Sequence, residues 1–484
     1  MPQPPAAKSA GAMMVAYFKD FGVLKETRKE YWGIQLVNFL DCTFYFAMLT
    51  IATLFLSHDL GLTDKEAGRV FTVFTAAVTI LLTFSGMFCD WLGIRRSLRL
   101  SMGSMLFLRA AMVVVGLMPA LPHRGVLAMG LLALMAPFTA AIQTIFQAST
   151  QRYTTKKSRS AGFNLWYLFM NVGAMLGGAA VDVVRLALKV PNVHIFTMGA
   201  ALAVLCLVVG ETLVRNEDQL RGPDEGPESA EDKPVRKKPL EILRDVVHEP
   251  ALLRLIVLIA LILGVRAVYV YLYMLMPKYW ERTIGPDAAI GVLNMINPFG
   301  IIVGLILFIP LANKFKVFNL LVFGAMVSAL SLFPMALPWQ VYGLGIAKAH
   351  YLMAILCMII LTVGEVLWSP KLYEYTAAIA PKGQEGTYLG LSMIPWFLAK
   401  SLVSWFSGDW LTRWSPEKVM VNGAEVPLQQ AMIANQVPYW HSPGAMWLVL
   451  GGYALAGCII AVLLRGWLTR GAKWKSESAG PAAA

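Results

Sequence analysis

The chain has 484 residues, of which 57% are hydrophobic and 14% charged, with a formal net charge of +12 and a mean hydropathy of +0.60. That balance excludes an ordinary soluble globular protein, because so much apolar surface needs lipid as well as a core to cover it. The excess of Lys and Arg, which in a soluble chain would point to nucleic acid, sits in short segments between apolar runs and so reads as membrane topology.

In chain order, residues 1–30 form a polar tail with a short amphipathic stretch, where Met14, Val15, Phe18 and Phe21 recur at helical spacing. Six apolar runs follow, at 31–56, 70–89, 100–120, 125–148, 163–184 and 194–213, each long enough to cross a bilayer. A polar linker over 216–250 mixes Gly, Pro, Asp, Glu and Lys, a composition that cannot pack a core. Six more runs occupy 255–276, 290–311, 317–337, 351–375, 388–405 and 444–464, ahead of a polar tail at 469–484. Barrel strands would alternate apolar and polar residues, whereas these runs are apolar throughout. The expected fold is an all-α membrane protein of 12 transmembrane helices in two six-helix bundles, residues 31–215 and 251–468.

Basic clusters at Lys25, Arg28 and Lys29, at Arg95, Arg96 and Arg99, at Arg152, Lys157 and Arg159, and at Lys314 and Lys316 all fall on one side of that arrangement. The positive-inside rule assigns this side to the cytoplasm, which places both termini there and predicts a multi-pass protein of the plasma (inner) membrane. The loop over 412–443 then lies outside, and Asn422-Gly423 between short β-prone runs predicts a small hairpin in it. The five cysteines, Cys42, Cys89, Cys206, Cys357 and Cys458, sit in or at the ends of apolar runs without metal-ligand spacing. Neither a disulfide framework nor a metal or cofactor site is expected. No removable signal peptide is apparent, so the first helix serves as the insertion signal. The sequence has no Ser-His-Asp arrangement or phosphate-binding Gly loop, which argues against an enzyme or a pump.

Ionisable groups inside apolar spans cost roughly 2.5–3.5 kcal/mol each on insertion scales and are functional candidates by default. Four stand out: Asp41, Arg266, Glu365 and Lys400. Arg266 is the expected partner of Glu365. Asp41 can carry a proton or serve as a packing residue, and Lys400 either faces the cavity or snorkels. Tyr45, Tyr269, Tyr273, Trp166, Trp368 and Trp396 offer aromatic faces to a polar cavity, and the amides Asn164, Asn171, Asn294 and Asn297 are disfavoured against lipid. Pro298 and Pro370 loosen their helices at plausible hinge positions.

The turn after the second run reads Gly86-Met87-Phe88-Cys89-Asp90-Trp91-Leu92-Gly93-Ile94-Arg95-Arg96, which resembles the G-x-x-x-D-x-x-G-x-R-R signature of the major facilitator superfamily. A weaker echo ends in Asn313-Lys314. Within that superfamily, three further stretches are similar to motifs of the proton-dependent oligopeptide transporters: Phe163 to Ala174 with Asn171-Val172-Gly173, Asn297-Pro298-Phe299-Gly300-Ile301-Ile302, and Gly364-Glu365-Val366-Leu367-Trp368-Ser369-Pro370 followed by Ala380-Pro381. The chain departs from that family on the first helix, where Asn38, Asp41 and Cys42 stand in its E-x-x-E-R motif, and on the fourth, where Gln143 and Gln147 stand near its Lys.

The resemblance implies a divergent member that takes up short peptides or peptide-like solutes with protons. The residues and the resemblance together give an expected substrate-binding set of Asn38, Tyr45, Gln143, Asn164, Asn171, Arg266, Tyr269, Tyr273, Asn294, Asn297, Glu365, Trp368, Ser369 and Trp396, with proton coupling at Asp41 or Glu365 and a conformational motif of Gly86, Asp90, Gly93, Arg95 and Arg96. The residues alone support a small polar organic solute, zwitterionic or charged. Partners are then the solute, protons and the lipid bilayer, with no nucleic acid and a monomeric chain. Two rival classes stay open: an exchanger or exporter of another polar solute, and a non-transporting membrane receptor or scaffold.

Overall fold

The computed structural model describes residues 21–155, 157–216, 220, 250–312, 315–379 and 394–470. The amphipathic stretch from Met14 to Phe18, nearly all of the linker, Asn313-Lys314 and Ala380-Pro381 lie outside them, as do the side chains of Asp90 and Trp396. Among the described residues, twelve long helices carry the architecture. In the N-terminal half they are α1 (Lys29–Leu54), α2 (Asp64–Leu92), α3 (Ile94–Leu117), α4 (Arg124–Arg152), α5 (Arg159–Asp182) and α6 (His194–Leu213). In the C-terminal half they are α7 (Pro250–Met274), α8 (Ile290–Ala312), α9 (Val317–Leu330), α10 (Ile346–Ile379), α11 (Ile394–Trp414) and α12 (Pro443–Leu463). Among the described residues, 9 helices are long and apolar enough to cross a membrane. The three that complete the twelve are α11, which carries Lys400 and Asp409 along its length, and α2 and α8, part of whose side chains lie outside the described residues.

Local chemistry sets the boundaries. Thr63 caps α2 in a reciprocal box: its Oγ1 accepts from Glu66 N–H at 3.3 Å, and the Glu66 carboxylate accepts from Thr63 N–H at 2.9 Å. Gly93 breaks α2 from α3 in a single residue at φ +79°, a left-handed conformation that explains the glycine of the turn motif. Asn422 and Gly423, at φ +50° and +84°, turn the strand β1 (Lys418–Val421) back onto β2 (Ala424–Pro427), the hairpin expected from the sequence.

The interior is built of large rings and close helix pairs. Tyr279 packs its ring 5.1 Å from Trp447 and meets His350 Nδ1 through its hydroxyl at 2.7 Å. Large apolar side chains such as Ile80, Phe107, Phe323 and Leu463 are left exposed, as a lipid-facing surface requires.

The two halves meet tightly at one end. There α1 and α5 finish, α2 and α8 begin, and a short helix that the apolar pattern did not anticipate, Met276–Ile284, follows α7. Asp64 on α2 accepts from Lys278 Nζ at 2.6 Å and from Arg282 at 2.9 Å, both on that short helix. Arg282 also donates to the Ser415 carbonyl at 2.6 Å, and Lys65 pairs with Asp409 at 3.0 Å. Asp182, at the end of α5, accepts from the N–H groups of Gly291 and Val292 at 2.8 and 2.7 Å, so one half supplies the N-terminal cap of a helix in the other.

This closure depends on backbone approach. A Cβ built on Gly291 would lie 2.0 Å from the Gly178 carbonyl oxygen, a contact that no side-chain movement relieves. Gly291→Val is therefore expected to disfavour closure at this end. Cysteines replacing Lys65 and Asp409 in a cysteine-free background report it: their cross-linking yield should fall at least about tenfold, the effect of about 1.4 kcal/mol. An undiminished yield would show that the Gly178–Gly291 contact does not control closure.

Candidate functional site

A second group of polar residues lies along the helices between the halves, away from the closed end. Its centre is Glu365 on α10. Asn297 Nδ2 on α8 donates to the Glu365 carboxylate at 3.0 Å and to Thr362 Oγ1 at 3.1 Å. The adjoining Pro298 cannot donate to the helical ladder, so α8 is locally weaker where it presents this amide.

Arg266 on α7 was expected to form a coupled charge pair with Glu365. Its guanidinium lies 4.3 Å over the Trp368 ring and acts on Glu365 through its charge, and Asn297 adds a hydrogen bond to the same carboxylate. Trp368 is fixed in turn. Its Nε1–H donates to Tyr269 Oη at 3.2 Å and Ser328 Oγ at 3.1 Å, and those two hydroxyls are 3.1 Å apart. The indole thus serves as a rigid platform for the cation. Glu365 is also close enough to Tyr167, Tyr269 and Tyr273 to interact with them by charge, and Tyr167 belongs to α5 of the opposite half.

Lys400 does not snorkel. Its Nζ donates to Tyr45 Oη at 3.1 Å, joining α11 to α1 across the two halves. Beside it, Phe46 and Tyr273 bring their rings to 6.2 Å, again across the halves. Arg266, Glu365 and Lys400, two cations and one carboxylate, therefore project among aromatic and amide side chains where the halves face each other.

Other sequence-based candidates make contacts of their own. Asp41 is in the N-terminal half, where it accepts from Arg109 at 2.6 Å; Arg109 is 1% exposed, lies 3.8 Å over the Phe44 ring and also donates to the Gly199 carbonyl at 2.9 Å. Asn38 is fully buried and donates to the Trp166 carbonyl at 3.1 Å, tying α1 to α5. Asn171 donates to the Tyr167 carbonyl one turn earlier at 2.8 Å. Asn294 reaches Thr50 Oγ1 across the halves at 3.4 Å, Gln143 and Ser369 are half-buried, and Asn164 is exposed.

Sequence reasoning omitted Arg109 although it lies inside an apolar run, and the rule that selected Asp41 selects it equally. It also passed over Tyr167, Lys278 and Asp182, of which only Lys278 and Asp182 carried a charge signal near a span end. In the turn motif, Arg95 donates to Glu211 at 2.8 Å, and Glu211 also accepts from Arg99.

Solved structures share this fold. A crystal structure of a peptide transporter POT in complex with sulfate superposes with a TM-score of 0.69 at 17% identity, covering 92% of this chain and 96% of that one. A bacterial homologue of the human drug peptide transporters PepT1 and PepT2 gives 0.66 at 15% identity over 91% and 98%. A POT family transporter in complex with 5-aminolevulinic acid gives 0.66 at 14% identity over 93% and 100%. These likenesses establish the fold. No curated protein matches the chain by sequence. The sequence pattern of the Major Facilitator Superfamily matches residues 34–404, and with the two bundles and the turn motif in place the chain belongs to that superfamily.

Proposed function

We propose that the protein is a secondary active transporter that takes up short peptides or peptide-like zwitterions together with protons, by alternating access between its two halves. The observation that carries this reading is the placing of Arg266, Glu365 and Lys400 among aromatic residues between the halves. Two cations can receive a carboxylate and one carboxylate can receive an ammonium group, which is the charge pattern of a zwitterion. The likeness to transporters crystallised with a thioalcohol conjugated peptide and with 5-aminolevulinic acid supports the same solute class.

The closed end faces outward and both termini face the cytoplasm of the plasma membrane, a reading supported by the distribution of Lys and Arg. The chain works as a monomer and without a cofactor. Glu365 is the proton site, with its charge balanced by Arg266, and Asp41 serves the N-terminal bundle as half of an ion pair.

Uptake into liposomes carrying the purified protein tests this. Dipeptides should accumulate when an inward proton gradient is imposed and only equilibrate when it is collapsed. Accumulation of another solute in the same panel, with none of peptides, would overturn the substrate class. Equal uptake with and without the gradient would identify an exchanger or facilitator.

A further inference from the structure

The surface formed by α3, α4 and the ends of α1 and α6 carries two adjoining cavities that the transport cycle described above does not use. One, of about 590 Å³, is an apolar groove between α3 and α4 lined by Leu100, Gly103, Phe107, Leu134 and Phe138. Phe107 is 74% exposed and Leu134 58%, and a Cβ on Gly103 would meet nothing within 4 Å, so the groove is open on its outer side. The second, of about 800 Å³, is lined by the cations Lys29, Arg95, Arg96, Arg99 and Arg215 against a single carboxylate, Glu30. Arg96 and Arg99 line both cavities.

The charges are unevenly satisfied. Glu211 draws Arg95 and Arg99 together, and Glu30 accepts from the Asn216 N–H at 3.3 Å. Arg96, Arg215 and Lys29 are exposed, and no carboxylate among the described residues pairs with them. A surplus of cations beside an apolar groove matches a molecule with an anionic head and an aliphatic tail.

We infer that this surface is a binding site for an anionic phospholipid, whose phosphate lies against Arg96, Arg99 and Arg215 and whose acyl chain occupies the groove along Gly103 and Phe107. A zwitterionic lipid would bring its own cation into a pocket that already has an excess of them. The turn motif contributes Arg96 directly, so lipid binding would bear on the segment that joins α2 to α3.

Native mass spectrometry of the full-length protein in detergent tests the site, with phosphatidylglycerol and phosphatidylcholine of identical chains as probes and inorganic phosphate as a soluble competitor. The wild type should retain phosphatidylglycerol at least about tenfold over phosphatidylcholine. Arg96→Ala with Arg215→Ala should lower that retention roughly thirtyfold, from about 1 kcal/mol for each cation. Gly103→Leu, which fills the groove, should lower it while leaving the basic pocket intact. Equal retention of the two lipids would overturn the inference, as would wild-type retention in the double Arg variant. Displacement by inorganic phosphate would assign the pocket to a free anion and remove the lipid. Both arginines are exposed, so the double variant remains informative if Gly103→Leu fails to fold.

Discussion

Glu365→Gln is expected to reduce proton-driven accumulation to the level of empty liposomes while leaving exchange of labelled for unlabelled solute intact. Gln keeps the size of the side chain and can still accept the bond that Asn297 Nδ2 now donates to the carboxylate at 3.0 Å, so the local packing survives. What is lost is the ability to gain and release a proton. A proton drives a cycle only through a group whose affinity for it differs between the two states, and Glu365 has a partner that movement of the halves would alter, Tyr167 from α5 of the opposite half. Solute exchange needs only binding and isomerisation of the loaded protein, which the substitution spares. The measurement is uptake with an imposed pH gradient set beside counterflow at equal pH. Gradient-driven accumulation that persists in Glu365→Gln would exclude this residue as the coupling site.

Arg109→Leu is expected to be the most destabilising single substitution at a polar position of the N-terminal bundle, at about 3–5 kcal/mol, because it leaves the Asp41 carboxylate buried without its counter-charge. It also removes the donor to the Gly199 carbonyl at 2.9 Å and the cation over the Phe44 ring. The double variant Arg109→Leu, Asp41→Leu should recover much of the loss, since no charge then remains buried. Recovery should be partial, because the Gly199 carbonyl still lacks its partner, at a cost of about 1–3 kcal/mol. Thermal unfolding of the purified variants in detergent reads both effects. If the double variant melts no higher than Arg109→Leu alone, the ion pair is not the source of the stability.

The two cases differ in how far the sequence could have anticipated them. Glu365 announced itself, as a carboxylate in the middle of an apolar run within a stretch resembling a family motif. Its hydrogen-bond donor did not. Asn297 lies 68 positions away, and neither hydropathy nor spacing singles out that amide. The Asp41–Arg109 pair, also 68 positions apart, was hidden for a related reason. Each residue was visible as a charge in an apolar run, but nothing local says that the first and third helices bring those charges together. Tyr45 and Lys400 are 355 positions apart, and only the packing of α1 against the C-terminal half makes them neighbours.

The sequence by itself determined the elements: apolar runs of bilayer length, a capping box at Thr63, a single-residue break at Gly93 and a hairpin at Asn422-Gly423. Each of these is decided within a few residues by backbone sterics, hydrogen-bond satisfaction or the absence of water in lipid, so it can be read along the chain. Tertiary structure alone decided which faces of the helices meet and therefore which polar groups become partners. In a soluble helix the apolar stripe marks the inward face, but these helices are apolar on most sides and their periodicity leaves no such mark. The closed end shows the consequence most directly, because Asp182 caps α8 across 109 positions and Asp64 gathers Lys278 and Arg282 from more than 200 positions away. Those contacts arise from two bundles meeting, and no segment of the sequence contains both sides of any of them.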